Sequence, residues 1–146
     1  KILPITQYFT DLTNVSEADV LEHGLELVDA MSKFYDFVGK EDGFIYSCGS
    51  DMWSTLLPSC FEQGLNVPFK RSQVVNIRHT FALLGLDKNI LLTTNSGRMA
   101  SVFGLDMPND HHEHDALCDV ISLLTVLRHF TQNKSWEDVQ KALAHV

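Results

Sequence analysis

Two short runs, GFIYSC at 43–48 and SQVVNI at 72–77, carry the strand signals in a chain otherwise patterned for helices. In an α/β domain the helices must cover a sheet, and two short strands are few for so many helices. The pattern therefore predicts an α/β fold whose sheet lacks strands within these residues, most simply strands placed before residue 1. GFIYSC lies between glycines, and the segment after it, DMWSTLLPSCFEQGL, is predicted helical despite Pro58. PITQYFTDLTN predicts a short helix. Ser16 is a predicted N-cap, and Leu25, Val28, Met31, Phe34, Tyr35 and Val38 follow at the spacing of an amphipathic helix with its apolar side inward. SGRMASVFGL predicts a short helix with Ser96 near its start, DALCDVISLLTVLRHFTQ a long one, and SWEDVQKALAHV a last one capped by Ser135.

With 146 residues the chain has room for one ordinary domain, residues 1–146, expected to be N-terminally incomplete. No apolar run is long enough to cross a bilayer, and KILPITQYFT lacks the features of a secretory leader, so no membrane partner is expected. The odd number of cysteines, Cys48, Cys60 and Cys118, fits reduced thiols and an intracellular setting better than a disulfide framework. A net charge of −8 argues against a broadly basic nucleic-acid surface. The charge is uneven, however: residues 68–100 carry five basic side chains, Lys70, Arg71, Arg78, Lys88 and Arg98, against one acidic. Only there is a local phosphate-facing patch expected.

Two aspartates stand out. In the long helix Ala116, Val120, Leu123, Leu124 and Leu127 form the predicted apolar stripe, and Asp119 falls on or beside it. A carboxylate there needs a partner or a metal, because burial penalises an isolated charge. His114 lies about 140° from Asp119 on an ideal helix, so a shared site requires His114 to stand in the preceding turn, where MPNDHHEH has loop composition. Asp51 follows the first strand at its carboxyl end, the edge where open α/β sheets bind ligands. Carboxylates at such mouths, with a histidine beside one of them, are the chemistry of a hydrolytic magnesium site. The blander alternatives are a helix cap for Asp51 and a solvated loop for the histidines. A zinc site from His111, His112, His114, Asp115 and Cys118 is a weaker alternative, since these ligands crowd into one short stretch without a distant second pair.

Taken together in order and spacing, these segments resemble the DEDDh branch of the DEDD 3′–5′ exonuclease superfamily. The closest likeness is to the subgroup that trims small interfering RNAs and histone-message ends. ITQYFTDLTNVSEADV at 5–20 is similar to the block preceding the second motif of that subgroup. YSCGSDMWSTLLPSC holds Asp51 with Cys60 nine residues on, and VVNIRHTFALLGL is similar to its INIR segment. MASVFGLDMPNDHHEHDALCD matches its helix, loop and His-x4-Asp, and the likeness covers roughly residues 5–130. The resemblance implies an RNase H-like fold and single-stranded RNA 3′ ends as substrate. It also implies two magnesium ions, or manganese, and release of nucleoside 5′-monophosphates. Asp51 and Asp119 would be metal ligands and His114 the general base, so that activity falls in acid as the histidine is protonated. Met52 and Trp53 would line the pocket of the terminal base.

The first motif of the family, Asp-x-Glu, does not precede residue 5. Without those two carboxylates too little negative charge remains for two cations about 3.5–4 Å apart. The isolated chain is therefore expected to be inactive, with the motif supplied by an upstream segment or a protein partner. The alternative is a scaffold that has lost catalysis and serves as an RNA-binding or structural module in a larger assembly.

Overall fold

The computed structural model describes residues 4–38, 43–67, 69–108, 112–135, 137–139 and 141. These form two compact units, one of Lys1–His23 with Thr80–His145 and the other of Gly24–His79. Helices dominate, with one two-stranded parallel sheet, a mixed architecture compatible with the α/β class.

The unit Gly24–His79 is built around the sheet. Strand β1 (Ile45–Ser47) pairs in parallel with β2 (Val74–Asn76), in the register Ile45 to Val74 and Ser47 to Asn76. Parallel neighbours need a long crossover, normally helical. Here it is a π-helical turn, Met52–Leu56, continued by an α-helix, Leu57–Glu62. Pro58 explains the wide turn: a proline has no N–H to give the preceding turn, and its ring crowds the carbonyl four residues back. The helix opens locally, and Leu57 N–H reaches back to the carbonyl of Met52 instead. Before β1 comes the helix Leu27–Val38. Its packing is only partly as the apolar spacing predicts, with Met31 buried and Phe34 half-buried, while Val28 and Tyr35 remain 52% and 43% exposed. Leu25 precedes the helix and is also exposed. Phe69, itself buried, meets the edges of Phe34 and Trp53 at centroid distances of 6.2 and 6.4 Å. That aromatic trio, with Cys60 and Val75, is the interior of the unit.

The other unit begins with two short helices, Gln7–Thr13 and Glu17–His23. Thr6 caps the first by accepting from Phe9 N–H, and Ser16 does the same for Asp19 N–H at the start of the second. The residues after β2 form the helix Ile77–Leu83, of which Thr80 onward belongs to this unit. It ends at Gly85, whose φ of 96° is left-handed, and the Leu86 N–H returns to the carbonyl of Phe81, a glycine-terminated helix end. Asp87 then caps the helix Lys88–Thr93 through Asn89 and Ile90 N–H. Ser135 caps a helical segment through Asp138 N–H, as its sequence predicts.

The long helix (Ala116–Thr131), the eighth α-helix in chain order among the described residues and labelled α8, matches the predicted stripe only in part: Leu123 is buried and Leu127 half-buried, but Ala116 is exposed. Ser122, Leu123 and Val126 are buried, whereas Leu117, Val120 and Leu124 stand 68%, 58% and 39% exposed. A polar pair lies on the inward face. Ser122 is fully buried because its hydroxyl accepts the N–H of Ala100, at the start of the short helix Met99–Val102. Phe130 lies further along and meets Phe103 edge-on at 5.5 Å. The Ser122 hydroxyl thus satisfies a backbone N–H that apolar periodicity does not register.

One buried group in this unit has no such compensation. Thr80 is fully buried and its hydroxyl has no hydrogen-bond partner among the described residues. An unpaired buried hydroxyl is a standing cost, so Thr80→Val is expected to raise the unfolding free energy by about 1 kcal/mol, read by denaturant titration.

Candidate active-site residues

Asp51 stands four residues past the end of β1, after the bend Cys48–Gly49–Ser50. It opens the helical turn, yet its side chain makes no capping hydrogen bond. The first N–H groups of the turn are taken instead by the carbonyl of Ser50, which accepts from Trp53 and Ser54 N–H at 2.8 and 2.9 Å. Asp51 is exposed, so its carboxylate faces solvent at the carboxyl edge of a parallel strand. The helix-cap alternative therefore does not account for this residue. Met52 and Trp53 are half-buried in the same turn. Trp53 meets Phe69 on one side and carries the Arg71 guanidinium over its ring at 5.6 Å. It is thus partly a core residue and partly a platform. At the same edge Arg78 Nε–H donates to Cys48 Sγ at 3.3 Å.

In the other unit His114 and Asp119 are brought together. His114 lies in the turn before α8, at a left-handed φ of 68°, and its backbone N–H donates to Asp119 Oδ1 at 3.2 Å. The imidazole belongs to an exposed residue. Asp119 sits in the first turn of α8, half-buried on its inward face. Its other oxygen accepts the Ser96 hydroxyl at 2.7 Å. Gly97 packs so closely against this carboxylate that a Cβ there would collide with Asp119 Oδ1. Alongside, Glu113 pairs with Arg98 at 3.5 Å and accepts from Asn95 Nδ2 at 3.3 Å.

The segment 95–98 is thereby tied to the turn 113–114 through two carboxylates, one charged partner and several neutral donors. This network answers the charge question raised by Asp119: hydrogen bonds, rather than the histidine ring, satisfy the carboxylate. A carboxylate has about four lone-pair sites, so two accepted bonds leave room for a cation as well.

Ser96 was expected near a helix start, but its role and those of Asn95, Gly97 and Glu113 escape sequence reasoning. The Ser96–Asp119 partnership spans 23 positions, and no local periodicity connects them.

Asp115 caps α8, accepting from Leu117 and Cys118 N–H at 3.0 and 2.9 Å. The Cys118 backbone N–H is the main cause holding its carboxyl below the ordinary value of 3.8, against a smaller opposing effect of desolvation. A depressed folded value means the cap contributes fully above the unfolded value and is lost as pH falls through the folded one. Asp115→Asn is therefore expected to flatten the acid limb of a Tm-against-pH profile below about pH 4. An acid limb identical to that of the parent would show that this cap does not couple to protonation.

Of the zinc ligand set, His111 lies outside the described residues, as do Asn109 and Asp110 of the loop. The Asp115 carboxylate is engaged as a cap. Among the described residues no group of three or more His, Cys, Asp or Glu side chains is arranged to hold a metal ion. Asp51 and Asp119 offer hard oxygen donors of the kind magnesium takes, but they do not by themselves make a complete two-ion set. Among the described residues no helix is long and apolar enough to cross a membrane. No family model, curated protein or solved structure matches the chain.

Proposed function

We propose that this chain is the later part of a DEDDh-type 3′–5′ exonuclease with an RNase H-like fold, acting on single-stranded RNA ends and releasing nucleoside 5′-monophosphates. The observation that carries the reading is Asp51, an exposed carboxylate at the carboxyl edge of a parallel strand that caps nothing. The ordinary structural reason for an aspartate at that place is missing, and ligand binding is the usual role of that edge. A second support is the turn that holds His114 against Asp119 by a backbone bond, which leaves the ring to act on something else.

In this reading Asp51 and Asp119 are metal-binding carboxylates and His114 is the base that takes a proton from the attacking water. Magnesium, when bound, supplies charge neutralisation at the phosphodiester and lowers the pKa of water. The remaining two carboxylates, an Asp-x-Glu pair, come from a segment or partner outside these residues. The three cysteines are free, in keeping with an intracellular setting.

The alternative is a scaffold without catalysis that serves as an RNA-binding or structural module in a larger assembly. The two separate on the native molecule, whose intact mass and subunit sequences show whether an Asp-x-Glu strand accompanies this chain. A native molecule that carries the motif and degrades single-stranded RNA with magnesium supports the exonuclease. One in which neither chain nor partner supplies it makes the protein a binding scaffold.

A further inference from the structure

Of the five basic residues in the 68–100 segment, the structure distinguishes three situations. Arg98 is paired with Glu113, and Arg78 contacts Cys48. Lys70, Arg71 and Lys88 are exposed, and among the described residues no carboxylate is paired with any of them, although the chain carries 19 acidic residues. Lys88 begins the helix Lys88–Thr93 of the other unit, whereas Lys70 and Arg71 are adjacent within Gly24–His79. They sit on an ordered turn. Phe69 anchors it in the aromatic interior, and Lys70 N–H donates to Gln73 Oε1 at 2.8 Å. The Gln73 Nε2 then donates to the carbonyl of Gly43, just before β1, at 3.3 Å. Arg71 opens the 3₁₀ turn Arg71–Gln73 and lies over the Trp53 ring, two residues on from Asp51.

We infer that Arg71, held by the indole of Trp53 and assisted by Lys70, is a phosphate contact for a single-stranded nucleic acid whose terminal bases lie beside Trp53. The inference rests on the exonuclease reading of Asp51 and names a strand-binding element for it. A guanidinium over an indole, at cation–π distance, is oriented by the ring yet keeps its N–H fork, which matches the two oxygens of a phosphate. Cations set beside aromatic side chains are also how single strands are held without sequence reading. The preset turn reduces the ordering cost of the contact. In a protein of net charge −8, local and uncompensated cations are where a polyanion can approach.

The test is fluorescence anisotropy of the chain with a short 5′-labelled single-stranded oligoribonucleotide, without divalent metal, over a series of salt concentrations. Arg71→Ala is expected to weaken binding about three- to tenfold and to flatten the log affinity–log salt slope by about one. Arg71→Lys should keep the slope but lose affinity, because an ammonium lacks the planar fork. Lys134→Ala, an exposed single-charge control, should bind as the parent does. Binding with unchanged affinity and slope in Arg71→Ala overturns the inference while leaving the exonuclease reading intact. A parent chain that binds no strand overturns it as well, and nucleotide release by the native molecule judges the exonuclease reading separately.

Discussion

Replacing His114 by alanine is expected to slow 3′ trimming by the native, complete molecule about 10²–10⁴-fold while leaving the fold in place. On the proposed exonuclease reading, the size is that of losing a general base that takes the proton of the attacking water. The selectivity follows from the turn: the tie to Asp119 is made by the backbone N–H of residue 114, which alanine retains. The left-handed φ of 68° is less comfortable for alanine, so a small loss of stability accompanies the change. His114→Asn, better suited to that conformation, separates the effects by retaining stability without restoring the base. Rates of magnesium-dependent nucleotide release, with melting curves for each variant, check the expectation. Full activity in either variant removes His114 from the mechanism.

Gly97→Ala is expected to disturb the same region from the opposite side. The added Cβ would collide with Asp119 Oδ1 and press on the Glu113 backbone at 3.3 Å. Asp119 could yield only by weakening its bonds to His114 N–H and Ser96 Oγ. Overpacking of this kind costs about 1–3 kcal/mol, read as a lower Tm and denaturant midpoint. Activity should fall with it, since the carboxylate is displaced. Gly43→Ala is the matched control: nothing lies within 4 Å of its Cβ position, and a near-neutral or slightly stabilising change is expected. Equal behaviour of the two variants would mean that Gly97 is not in contact with Asp119.

Local chemistry made much of this fold legible. The two β-rich runs became the two strands, and the capping roles of Ser16 and Ser135 follow from side chains that bond within three residues. The helix beginning after β2 was signalled in principle by Gly85 at its end and Asp87 as the next cap. Its first turn, Ile77-Arg78-His79-Thr80, has mixed propensity and continues directly from a strand, which hides the boundary.

The inward face of α8 was harder, because apolar periodicity cannot know that Ser122 and Asp119 have distant partners. At the candidate site the turn position of His114 was deducible from helix geometry. The free state of the Asp51 carboxylate was not, since it depends on the Ser50 carbonyl meeting the turn in its place.

The most direct measurement uses the native molecule and single-stranded RNA labelled at its 5′ end, with magnesium, sampled over time. The exonuclease account predicts a ladder shortening one nucleotide at a time from the 3′ end, nucleoside 5′-monophosphates as the released product, and no ladder when magnesium is chelated. RNA that stays full length, or is cut internally, would contradict it.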